Sequence, residues 1–425
     1  MNNQRLELVA DFYEYTMANG YFNKNMQDRI AYFDVFFRKA PDEGGYAIVA
    51  GLEQIINYIR NLSFDEEDIN YLRKQNKFSE EFLNYLENFR FTGDIWAIPE
   101  GTVVFPNEPL ITVKAPIIQA QLLETMLLLT TNHQSLIATK TSRIVKEAQG
   151  RPVMEFGARR AHGINAAVEG ARAAIIGGAV GTSCTLSAKE FNVPASGTMA
   201  HSWIQSFDSE YEAFKAYAEL YPDDCTFLID TYNTIESGLP NAIKVFNEVL
   251  KPKGYRPKAV RLDSGDLAYL SKKVRKILDE TGYEDCKICA TNSLDEYLIK
   301  SLIEQDAKID LFGVGENLIT AKSEPVFGGV YKLVALEKDK KIVPKIKVSE
   351  NTAKVTNPSV KKVYRFYDNE TKKAIADVIT LADEIIDERE YMIFDPQNPW
   401  KKKVLKDYSI RLLQEKIFEE RKINI

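Results

Sequence analysis

The chain has 425 residues, of which 45% are apolar and 27% charged, with a formal net charge of −6. That is enough apolar material for a large buried core in more than one domain, so disorder is excluded as the main state. The acidic balance argues against a nucleic-acid surface, which needs a concentrated basic face, but leaves room for a small anionic substrate if a few Arg and Lys converge.

No apolar run approaches the roughly 18 residues of a membrane span, and the first residues, MNNQRLELVADFYEY, lack a basic segment followed by an apolar one. The expectation is a cytoplasmic protein with no membrane partner. Four cysteines in so long a chain do not make a disulfide framework. Cys286 and Cys289 lie three apart in a strand-like run and point to opposite faces, so no metal site built from side chains is expected there.

Residues 1–145 mix helical periods, such as Gly51 to Ile59, with short strand-like runs, such as Ile95 to Ile98 and Pro109 to Val113. The irregular order suggests an α+β domain. Leu122 to Lys146 reads as one long helix closing with Lys140, Arg143 and Lys146, cations that suit a helix C-terminus.

From about 146 to 335 the texture changes to short apolar runs, each followed by Gly, Ser, Asp or Asn and then a helical pattern. The runs are 152–156, 179–183, 225–230, 259–263, 287–292 and 309–313. Their spacing is that of repeated βα units and predicts a parallel β/α barrel. An open doubly wound sheet is the alternative, but Phe156-Gly157-Ala158-Arg159-Arg160 is not the glycine-rich dinucleotide loop that usually opens one. Residues 336–425 turn into charged, strand-like stretches such as Lys341 to Val348, expected to pack back on the N-terminal domain.

In a β/α barrel the reacting groups sit just past the strands. Those positions hold Phe156 and Arg159, Ser183, His201 after Ser196-Gly197-Thr198, Asp230, Asp263 to Asp266, Asn292, and Gly313 with Gly315. Together they supply an aromatic plate, a cation, acceptors for sugar hydroxyls and a glycine turn for a phosphate. Singly they say less: Asp263-Ser264-Gly265-Asp266 could simply start a helix, Gly313-Val314-Gly315 could be only a tight turn, and Arg159 with Arg160 a solvated pair. Of three histidines, His133 falls in a helical run and His162 is placed one turn into a helix, whereas His201 stands at a strand-to-helix turn, where a polarised imidazole has little structural reason to be.

Taken together, Asp11-Phe12-Tyr13, Phe36-Phe37-Arg38, Glu155 to Ala161, Gly181-Thr182-Ser183, Gly197 to Ser202, Asp230-Thr231-Tyr232, Arg261 to Asp266, Gly313-Val314-Gly315 and Pro325 to Lys332 resemble the nicotinate phosphoribosyltransferase family, over nearly the whole chain. The resemblance implies a type II phosphoribosyltransferase-like fold, an irregular, incomplete β/α barrel with an α+β N-terminal domain. It implies a homodimer with shared active sites, in which Phe156 stacks one face of the pyridine ring and Tyr13 of the other subunit the opposite face. Arg159 and Arg261, with Arg38 and Lys332 as weaker candidates, would hold phosphate and pyrophosphate. Asp263 and Asp230 would serve the ribose and its developing positive charge, and Gly313 and Gly315, with Ser264 and Gly265, the 5′-phosphate. Ser183, Thr198 and Asn292 complete the substrate-binding set.

The same resemblance implies ATP as co-substrate, with His201 accepting its γ-phosphate, and Mg2+ carried in on phosphoribosyl pyrophosphate or ATP. The expected reaction is the ATP-assisted joining of nicotinate to phosphoribosyl pyrophosphate, formally a ligase reaction of NAD biosynthesis. Nicotinamide phosphoribosyltransferases are the nearest rival; they carry an acidic side chain where Ser183 stands, which would repel nicotinate's carboxylate. A barrel lyase or isomerase acting on a sugar phosphate lacks here its expected lysine or metal-ligand cluster. A catalytically dead relative fits poorly with His201 and Asp263 retained.

Overall fold

The computed structural model describes residues 5–348, 350, 355–387, 389–396 and 398–419, and the backbone of 422–423. The chain divides into two compact units, one formed by residues 1–135 with 326–425 and the other by 136–325. The first boundary falls inside the continuous helix Glu124–Glu147, which is the long helix expected over 122–146.

The first unit is built on a seven-stranded antiparallel sheet. Its strand Ile30–Phe37 is buried almost throughout, on both faces, and its backbone is paired on both sides, by Ile111–Pro116 and by Gly329–Lys338. Phe33 stacks on Tyr331 with ring centroids 4.7 Å apart, and the buried Tyr331 hydroxyl donates to the Ala120 carbonyl at 2.9 Å. Such a buried aromatic needs both the packing and the partner. The C-terminal segment does return to this unit: Lys341–Pro344 extends one edge of the sheet, and Glu415–Glu419 pairs with Asp94–Ala97. Strand structure in the stretch 341–348 stops at Pro344.

All six apolar runs of the second unit form strands of one parallel sheet, in the order 181–182, 153–155, 311–314, 287–290, 259–262, 226–228. The sheet is open: among the described residues the edge strands 181–182 and 226–228 do not pair, so the barrel is incomplete. Phe227 of the edge strand 226–228 is stacked between Phe214 and Phe246, with centroids 4.5 and 5.5 Å apart. Each is fully buried, and each such side chain contributes about 1.5–3 kcal/mol to folding. Because the strands run parallel, all their carboxyl ends fall on one side, which is what gathers the site.

Candidate active site

The strand Val153–Glu155 ends in a buried carboxylate. Glu155 accepts the Thr182 hydroxyl at 2.6 Å and the Gly157 N–H on its other oxygen, and the Ser183 N–H donates to its carbonyl at 2.9 Å. Burial pushes its carboxyl above the ordinary range despite those two donors. Glu155 thereby ties the Phe156–Gly157 turn to the Thr182–Ser183 turn. Gly313 sits beside it within the strand Leu311–Val314, not past the strand's end, and a Cβ there would lie 2.5 Å from the Phe156 ring. The absent side chain is the space that the ring occupies.

On the neighbouring strands the charged groups converge. Arg261 donates from Nε to Thr291 Oγ1 at 3.0 Å, from Nη1 to Thr198 Oγ1 at 2.7 Å and Met199 O at 3.2 Å, and from Nη2 to Asp263 Oδ1 at 3.2 Å. These contacts use nearly all of its donors, so toward a ligand it is more a fixed charge than an open fork. Burial disfavours the Asp263 carboxylate, but the Thr291 hydroxyl and the Arg261 guanidinium outweigh it and hold the acid below its ordinary value. Asp230 accepts the Asp263 N–H at 2.8 Å and the Ser264 hydroxyl at 2.6 Å on one oxygen, while its other oxygen is buried without a partner.

His201 is the first residue of the helix His201–Gln205. Its Nδ1 lies 3.1 Å from Thr231 Oγ1 and its Nε2 3.6 Å from Asp263 Oδ2. The segment leading to it is held by the Ser196 N–H, which donates to Thr182 O at 2.8 Å. Asp263 to Asp266 does start a helix, Leu267–Glu280, but the cap is Asp266, which accepts the Tyr269 N–H at 3.0 Å; Asp263 is left to the charged cluster. Between them Gly265 takes φ +79°, a turn that an L side chain rarely makes.

The structure thus brings together His201, Asp230, Asp263, Arg261, Thr198 and Ser264, and beside them Phe156 and Gly313. Ser183, Arg159 and Asn292 lie exposed past their strands, and Gly315 stands between its strand and the short helix Glu316–Ile319. Asn292 and Ser293 both have left-handed φ, 81° and 51°, held in part by the Asn317 side chain donating to Ser293 O at 2.9 Å. His162 precedes the helix Ile164–Ile176 rather than lying one turn into it. Tyr13, Arg38 and Lys332 belong to the other unit: Tyr13 is exposed, Arg38 lies over the Phe36 ring, and Lys332 is 4.0 Å from Glu124. Glu155 and Thr231 fall in the family-like stretches without a predicted role, and sequence reasoning missed Thr291 outright, because a neutral or buried side chain carries no signal beyond its place at a strand end.

An open half-barrel of parallel βα units gathers a guanidinium, two carboxylates and an imidazole at its carboxyl ends, the face on which β/α-barrel enzymes carry their active sites. The crystal structure of human nicotinic acid phosphoribosyltransferase has this fold. It superposes with a TM-score of 0.85 at 26% identity, covering 97% of this chain and 89% of that one. Sequence profiles of nicotinate phosphoribosyltransferase match residues 8–132 (N-terminal domain), 152–380 (the family) and 360–424 (C-terminal domain). A nicotinate phosphoribosyltransferase of Bacillus subtilis is 46% identical over 416 residues, covering 98% of this chain and 84% of that protein. One of Mycobacterium tuberculosis is 46% identical over 360 residues, covering 84% and 75%. The chain belongs to the nicotinate phosphoribosyltransferase family.

Proposed function

We propose that this chain transfers the phosphoribosyl group of phosphoribosyl pyrophosphate to nicotinate, giving nicotinate mononucleotide and pyrophosphate, with ATP consumed through phosphorylation of His201. The observation that carries the transfer is the Arg261–Asp263–Asp230 cluster, fixed by hydrogen bonds at the carboxyl ends of the half-barrel. Pyrophosphate leaves C1 of the ribose ahead of attack by the pyridine nitrogen, through a cationic oxocarbenium-like state. Asp263, ionised and rigid, faces that charge, and such preorganised charges contribute more than flexible ones because nothing reorganises during reaction. Arg261 supplies fixed positive charge to the phosphates and the exposed Arg159 an open fork, with Arg38 and Lys332 as further cations. Gly315, with Ser264 and Gly265, receives the 5′-phosphate, while Gly313, filled on its open face by the Phe156 ring, gives up the phosphate role and serves the aromatic plate instead. Asn292 stays in the substrate-binding set.

Mg2+ would arrive on pyrophosphate, held mainly by substrate oxygens and water, and the buried Asp230 oxygen is the one carboxylate oxygen of this cluster with no partner among the described residues, left to meet it. The ion would neutralise the leaving group's charge. Phe156 stacks the pyridine ring, worth about 0.5–1.5 kcal/mol beyond burial, and Tyr13 of a second copy covers the other face. An exposed apolar stripe of Val9, Phe12, Tyr13 and Met17 supports that second copy. Ser183 presents a neutral hydroxyl to the ring substituent, which favours the acid over the amide.

The Asp263 carboxylate near Nε2 favours the tautomer protonated there, leaving the Nδ1 lone pair of His201 beside Thr231 as acceptor of the γ-phosphate. ADP departs, and water then cleaves the P–N bond. Assays with nicotinate and nicotinamide, each with and without ATP, test the reading. Nicotinate turnover stimulated by ATP is expected; nicotinamide turnover alone, or indifference to ATP, overturns it. His201→Ala is expected to abolish coupled ATP hydrolysis while retaining ATP-independent product formation, and full coupling in that variant would remove His201 from the mechanism.

A further inference from the structure

We infer that Thr291 is a positioning residue for phosphoribosyl transfer, its hydroxyl locking Arg261 and Asp263 into a single arrangement. This rests on the roles proposed above for those two side chains. Thr291 follows the strand Lys287–Ala290 and is 4% exposed. Its Oγ1 accepts from Arg261 Nε at 3.0 Å and donates to Asp263 Oδ1. The direction of both bonds is forced: a guanidinium only donates and an ionised carboxylate only accepts, so the one hydroxyl proton goes to Asp263 and a lone pair to Arg261.

The rotamer that does this has no freedom to change. The Thr291 methyl fills the face of Gly313, where it would stand 2.8 Å from any Cβ at that position, and the Thr291 N–H donates to Leu262 O at 2.9 Å. The same glycine face holds the Phe156 ring, so one residue sets the charged pair against the aromatic plate. Without the hydroxyl, Arg261 Nε and Asp263 Oδ1 each lose a buried partner, and the pair keeps only its 3.2 Å contact.

The test compares Thr291→Val, which keeps shape and loses the hydroxyl, with Thr291→Ser, which keeps the hydroxyl. Thr291→Val is expected to lower kcat/KM for phosphoribosyl pyrophosphate about 10- to 100-fold, the loss from removing a hydrogen bond to charged groups, with the KM for nicotinate within about twofold. Thr291→Ser should stay within about threefold of the native enzyme. Thr291→Ala carries the same comparison if the valine does not fold. Valine or alanine activity close to native, a serine as impaired as the valine, or a loss spread equally over both substrates overturns the inference. If the native protein does not turn over nicotinate, the proposed function fails by itself. The inference is then decided by inorganic pyrophosphate binding in a calorimeter, which Thr291→Val should weaken about tenfold and which an unchanged affinity would refute.

Discussion

Asp263 in the half-barrel and Glu14 in the antiparallel unit are both carboxylates withdrawn from water, yet their protonation is displaced in opposite directions. Glu14 is fully buried; one oxygen accepts the Asp11 N–H at 3.2 Å and the Thr125 hydroxyl, and the other has no partner. Burial prevails and raises it to about 7. Asp263 is less buried and is faced by a guanidinium and a hydroxyl, which lower it. Two neutral donors do not offset full burial at Glu14, whereas partial exposure and a guanidinium keep Asp263 charged, and a site that must meet a cation needs the second arrangement.

The contrast is broken most directly by Asp263→Asn, which keeps the shape and removes the charge. A fall in kcat of about 10^2–10^3-fold is expected in steady-state assays, the scale of losing one preorganised electrostatic group; a loss under about threefold would make Asp263 no more functional than Glu14. Gly313→Ala comes next. Its methyl falls 2.5 Å from the Phe156 ring, so nicotinate KM should rise about tenfold and stability drop by about 1–3 kcal/mol through overpacking. An unchanged KM would free Phe156 from its role.

Glu155→Gln is smaller. It places an N–H₂ either against the Gly157 N–H, two donors face to face, or against Thr182, whose hydroxyl must then accept and leave its own proton without the buried carboxylate. Either should cost about 1–3 kcal/mol, seen as a lower Tm at neutral pH. The smallest effect belongs to Glu14. Its acid is raised in the folded state, so the native chain holds a proton that the unfolded chain releases. The stabilisation is complete below the ordinary carboxylate range and is lost as pH rises through about 7. Thermal melts from pH 5 to 8 should show Tm falling in the native protein and falling less steeply in Glu14→Gln. Equal slopes would contradict the displacement.

The half-barrel was the legible part of the chain. Parallel strands buried on both faces write themselves as short apolar runs, and each of the six runs became a strand of the one sheet. The antiparallel unit was less legible, because its sheet is assembled from segments as distant as Ile30–Phe37 and Gly329–Lys338, whose pairing leaves no local trace. Within the site, charge and aromaticity marked Phe156, His201, Arg261 and Asp263, whereas Thr291 and Thr231 look like any other threonine.

The sequence by itself therefore determined the family resemblance, the βα repetition and the chemical types available at the strand ends, since all three reside in local pattern. The tertiary structure alone decided what those groups do to one another. Arg261 meets Thr291 across 30 residues and Thr198 across 63. Those contacts turn an available guanidinium into a nearly saturated one and keep Asp263 charged. Gly313, which in the sequence suggests a turn, proves to be the space for a ring. A hydrogen bond has a length and a direction, and both depend on which strands lie side by side; no spacing along the chain records that.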